Sequence, residues 1–277
     1  MVKNIISYIL SFIMVALIIA IVAVSFLQNK VLNEDYWKMQ MEQNNYYEKL
    51  EDTVNDGFEN YIMQSGMDSS VFEGIYDLDK VKEDTNSIVH AILNNEEFKI
   101  DTSTIREKLD NNIRNYIKDN KVLINKATEN QIRNFEDAIV STYTNSVSYS
   151  SSIMKSISNV IGKTKIIMQK VYVWIVTLLV IDIAIVIALN IKNTRNIFKI
   201  IAVIAFSIAG LSVVGIVLEK NFLGIQSLTV LNDNFSILVQ IFVKEIYEIL
   251  YITTAVGTAL GVIFSVICGN KTKNIAN

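Results

Sequence analysis

The chain has 277 residues, 51% apolar and 19% charged, with a formal net charge of −3 and a mean hydropathy of +0.33. One cysteine (Cys268) excludes an internal disulfide framework or a thiolate metal cluster, one histidine (His90) excludes a multi-histidine metal site, and the charge balance gives no footprint for nucleic acid. Proline is absent and there are only ten glycines, so long uninterrupted helices are expected.

The first apolar run covers residues 5–27, broken only by Ser7, Tyr8, Ser11 and Ser25. It is long enough to cross a hydrocarbon core of roughly 30 Å. It also exceeds the roughly 7–15 residues of a cleavable signal core, so a retained anchor over 1–27 is expected.

Residues 28–170 read as a helical domain. Tyr47, Leu50, Val54, Phe58 and Tyr61 recur at helical steps, with Gly66 as a closing residue and Asp68 as a new start. A second pattern runs over 79–93 through Val81, Ile88 and Ala91. Capping-box spacings at Thr104/Glu107 and Thr128/Gln131 open a third and a fourth. The first span is expected to run on toward Ser65. The fourth pattern is expected to merge with the second span, with a break near Gly162 as the alternative.

Three more spans follow at 171–191, 200–218 and 251–268. They are separated by a loop at 192–199 and by a loop and helix at 219–250, and a tail covers 269–277. The loop at 192–199 holds Lys192, Arg195 and Lys199 with no acid, the tail holds Lys271 and Lys273, and the head holds Lys3. Lys163, Lys165 and Lys170 argue the other way for the second span alone. Placing the cationic segments in the cytoplasm puts both termini inside and the acidic 28–170 domain outside the cell membrane. The expected fold is all-α: a four-helix transmembrane bundle with an extracytoplasmic helical bundle inserted between spans one and two.

Asp182 interrupts the second span. An ionised Asp at the bilayer centre costs about 2.5–3.5 kcal/mol on insertion scales, so the group is expected to face protein or water and to be protonated. Ser207, Ser212 and Thr258 are the hydroxyls expected at matching depth. They make Asp182 a hydrogen-bonding contact between spans, with proton or cation translocation as the sharper alternative. Gly257, Gly261 and Ser265 recur at steps of four and predict close helix packing, within the chain or with a second copy. His90 is expected in a packing or surface role, and Cys268 as a buried thiol. No metal site, cofactor motif or catalytic motif is found in the sequence.

The stretch NYYEKLEDTVNDGFENYIMQSGMDSSVFEGI (45–75) resembles four-span membrane proteins of low-GC bacteria for which no activity is known. The resemblance covers the outer domain and the layout, and implies no functional residues. The expected function is a non-enzymatic scaffold, sensor or accessory subunit that lies in the lipid bilayer. It binds a protein partner, a second copy or an envelope component through the outer domain. The alternative is a proton- or cation-coupled transporter or channel component using Asp182.

Overall fold

The computed structural model describes residues 2–121, 125–148, 151–218 and 233–273, without the side chains of 2, 4, 64–65, 126–127, 151–154, 157, 233–239 and 270–273. The described residues are mostly helical and contain no strand. They divide into two compact units. One comprises Met1–Val31 with Lys165–Asn277, and the other Leu32–Thr164.

The apolar unit contains α1 (Val2–Phe26), most of α7 (Ser151–Asn190), α8 (Thr194–Leu218) and α9 (Asp233–Lys273). Four helical segments, Ile5–Val31, Ser158–Asn190, Thr194–Leu218 and Gln240–Gly269, are long and apolar enough to cross a membrane. Large apolar side chains point outward from all four helices, among them Phe12, Trp174, Val213 and Ile252. A soluble monomer seldom exposes so continuous an apolar surface, whereas lipid solvates it without cost. Inside, Met14 and Val15 of α1, Val186 of α7, and Ile200 and Ile204 of α8 form one layer, flanked by Leu10, Ile18, Leu179 and Ile208. At the end of α1, the chain winds into a π-turn, Leu27–Val31, where Lys30 pairs with Glu245 of α9 at 3.2 Å.

The loop expected at 192–199 is shorter than its composition suggests. Only residues 191–193 separate α7 from α8, because the Asn193 carbonyl oxygens accept from Asn196 N–H and start the next helix. The α9 helix is continuous from Asp233, so the 235–250 segment and the fourth apolar run belong to one element. The segment 219–232 lies outside the described residues.

The polar unit contains α2 (Glu34–Gln43), α3 (Tyr46–Ser65), α4 (Leu78–Asn94), α5 (Ser103–Asp119), α6 (Lys126–Val147) and the first turns of α7. The first span does not continue to Ser65. After the π-turn, the Asn33 side chain accepts from Tyr36 N–H at 3.1 Å and starts α2 afresh. A second break follows at Asn45, whose left-handed φ of 51° suits an Asn far better than a branched residue. Gly66 closes α3 at φ 65°. The start at Asp68 leads only into a 3-10 turn, Ser69–Phe72. Two starts differ from the capping-box reading. Asp101 accepts from Ser103 N–H at the head of α5, and Asn125 accepts from Thr128 N–H at the head of α6. No break occurs at Gly162, where α7 runs straight through. A Cβ there would stand 2.9 Å from Cβ of Asn95, the left-handed residue that ends α4, so this glycine permits a close approach. The junction between α6 and α7 at 149–150 lies outside the described residues.

Tyr47, Leu50 and Val54 of α3, Ile105, Leu109 and Ile113 of α5, and Ile139 and Tyr143 of α6 are fully buried and form the core of this unit. Each such aliphatic side chain contributes about 1.5–3 kcal/mol relative to exposure. An aromatic cluster of Phe58, Phe72, Tyr76 and Phe135 seals one side. Gly57 lets α3 and α6 meet closely, since its Cβ would stand 2.7 Å from the Thr142 methyl group.

Candidate functional site

Asp182 lies on the inner face of α7, one turn from Leu179 on one side and from Val186 on the other. The residue is 5% exposed, and neither carboxyl oxygen has a hydrogen-bond partner among the described residues. The expected hydroxyls are not brought to it. Ser212 is buried but donates to Ile208 C=O of its own helix, Ser207 is half-buried, and Thr258 is exposed. Helix arithmetic gives the reason. Asp182 stands eight residues, about 12 Å, from the Asn190 end of α7, whereas Ser207 and Ser212 stand about 20 and 27 Å from the adjoining start of α8. The facing level of α8 is therefore near residue 202, where the chain is aliphatic.

The structure instead assembles a polar cluster at the Asn190 end. Asn190 is buried and donates from Nδ2 to Ser7 Oγ of α1 at 2.9 Å and to Val186 C=O at 2.9 Å. Its Oδ1 accepts from Asn196 Nδ2 of α8. Ser7 donates to Lys3 C=O at 2.9 Å and Ser11 to Ser7 C=O at 2.7 Å, and both serines are buried. Asn190 and Ser7 are visible in the sequence as polar interruptions near span ends. Their meeting is not, because it joins residues far apart in the chain.

The small-residue ridge of α9 is used in part. A Cβ at Gly257 would stand 2.8 Å from Ala205 C=O, and one at Gly261 would stand 2.8 Å from the Phe206 ring. Both glycines therefore lie against α8. Ser265 is exposed, and the buried face has moved round to Cys268. This drift follows from 3.6 residues per turn, which carries a strict step of four off any fixed line.

In the polar unit, His90 is half-exposed, with Nδ1 2.7 Å from Glu34 of α2 and Nε2 3.8 Å from Glu96. Glu34 also pairs with Lys38 at 2.6 Å, and the Lys38 hydrogen bond, with help from His90, outweighs burial and lowers its carboxyl below the usual range. These groups line a cavity of about 350 Å³ with Phe98. A larger open cleft of about 780 Å³ lies between the end of α3 and α5, lined by Asp68, Ser70, Asn112, Asn115, Tyr116 and Asp119. Among the described residues, no group of three His, Cys, Asp or Glu side chains is placed to hold a metal ion. No protein-family model, curated protein or solved structure matches this chain.

Glu136 of α6 is buried, with no hydrogen-bond partner for Oε1 among the described residues and Oε2 3.4 Å from Arg106 Nη1. Burial, reinforced by the neighbouring Asp110 carboxylate, raises its pKa above the usual value, against the pull of Arg106. An acid raised on folding is penalised when ionised, and that penalty disappears as pH falls through the raised value. Glu136→Gln should therefore melt above wild type at neutral pH. The advantage should shrink on acidification and vanish below the ordinary glutamate value of 4.5. A constant difference across a pH series of melts would mean that the ionisation of Glu136 is not what separates the two.

Proposed function

We propose that this protein is a non-enzymatic scaffold, sensor or accessory subunit of the cell membrane that binds a protein or an envelope component through its 28–170 domain, held outside. The observation that carries this reading is the pairing of two kinds of folded unit. One offers four helices fit for lipid, and the other, Leu32–Thr164, closes a core of its own beneath a polar surface. A domain with its own core presents a stable binding face. The Asn-, Asp- and Tyr-lined cleft beside Asn115 gives that face a concave polar area suited to hydrogen-bonded recognition. The cations at 192–199 and in the tail support a topology with both termini inside.

The topology is tested by labelling. A cysteine at Asn115 should react with an impermeant maleimide in intact cells, and one at Lys273 only after permeabilisation. The reverse pattern would place the domain inside and end the envelope reading. For binding, a photo-crosslinker at Asn115 in cells should give a discrete adduct, a second copy included, that a crosslinker at Thr53 does not give. An uncrosslinked monomer at both positions would count against the proposal.

A further inference from the structure

We propose that Asp182 is a proton-binding site within the apolar unit, loaded by water from the Asn190 end of the helices. The inference is independent of what the polar unit binds. It begins from an imbalance of partners. Asp182 is withdrawn from solvent, and both its oxygens lack a donor among the described residues. A carboxylate in that position is withdrawn from bulk solvent and has no protein donor among the described residues, so the fold holds it only together with something that brings a positive charge.

The surroundings say which. Leu179 and Val186 flank Asp182 on α7; Val186 belongs to the packed layer of Met14, Val15, Ile200 and Ile204, and Leu179 packs against it. A metal cation requires several oxygen ligands, and this layer is aliphatic. A proton requires only the carboxylate itself. Uptake is then simple: a hydronium ion gives its proton to a carboxylate oxygen, leaving water and a neutral acid.

The same geometry supplies a direction. Asn196, Asn190 and Ser7 meet at one end of the helices, and Ser11 stands one turn further along α1, about 6 Å. Asp182 stands one turn beyond that level on the facing helix, about 12 Å from Asn190. Both serine hydroxyls give their protons to their own helix; Ser7 Oγ, which also accepts from Asn190, keeps one lone pair for water, and Ser11 Oγ keeps two. Val186 lies between Asn190 and Asp182 as an apolar barrier one turn thick, while Leu179 closes the opposite side.

The test uses infrared spectroscopy of the full chain in liposomes. At neutral pH, the wild type should show a protonated carboxyl C=O band that is missing in Asp182→Asn, and the band should shift as deuterium oxide exchanges the proton. Ser11→Ala should slow this shift by about tenfold, the worth of one lost hydrogen-bonding stop for water, and Val186→Ser should speed it by about as much. Leu179→Ser should leave the rate unchanged. The proposal is overturned if wild type and Asp182→Asn share the same C=O bands. It is equally overturned if sodium removes the band, if Leu179→Ser matches Val186→Ser, or if exchange is as slow as global unfolding. Because exchange is measured on wild type as well, a poorly folding Asp182→Asn does not protect the idea.

Discussion

Asp84→Ala is expected to destabilise the polar unit by about 3 kcal/mol, a large fraction of a typical domain's stability. Asp84 of α4 is buried and accepts two hydrogen bonds, from Tyr143 Oη of α6 at 2.7 Å and from Lys80 Nζ one turn back at 2.8 Å. Tyr143 is fully buried, so removing the carboxylate strands its hydroxyl, and that loss dominates. Lys80 is partly exposed and recovers water. Burial, with Asp84 beside it, pushes the Tyr143 phenol far above its usual range, so it remains a donor at any working pH. Tyr143→Phe should cost less, about 1–2 kcal/mol, because Lys80 still serves the carboxylate. The double variant should fall short of the sum of the singles by about 1 kcal/mol or more. Hydrogen exchange of α4 and α6 amides in the full chain measures all three. Strict additivity would show that the pair is not the joint it looks to be.

Gly257→Val should weaken the α8–α9 contact by about 2–3 kcal/mol. The new Cβ would collide with a backbone oxygen, Ala205 C=O, which yields only if a helix moves. Helix propensity would return at most about 1 kcal/mol and does not offset the clash. Ser265→Val, on the same nominal ridge but facing outward, should change stability by less than about 0.5 kcal/mol. Thermal unfolding in detergent, followed by loss of helical circular dichroism, compares the two. Equal losses would mean that the ridge meets a second helix at Ser265 as well, such as one from another copy.

The contrast between Gly257 and Ser265 shows what can be read from residue order. Apolar runs, helical periodicity and the glycine spacing are local properties, so the helices and a close-packing face at Gly257 are accessible from the chain alone, whereas α8 as the helix that meets it is not. Helix ends are less so. Asn33, Asp101 and Asn125 compete with other nearby capping residues, and only the backbone geometry selects among them. Matching depth by the middle of each span misplaces the partners of Asp182. Depth is set by where α7 turns into α8, and that turn is only three residues long. The Asn190–Ser7 contact depends on a tertiary closure that no local pattern encodes.

That closure has a consequence in time. Ser7 and Asn190 are separated by 183 positions. At a synthesis rate of about 5–20 residues per second, α1 waits roughly 10–40 s for its partner to emerge. During that interval, a serine hydroxyl in apolar surroundings would be a liability if it depended on Asn190. It does not, since Ser7 and Ser11 already give their protons to carbonyls four residues back. The first helix is thus provisioned to stand alone before assembly, and Asn190 docks on an acceptor that is ready as soon as α1 has formed.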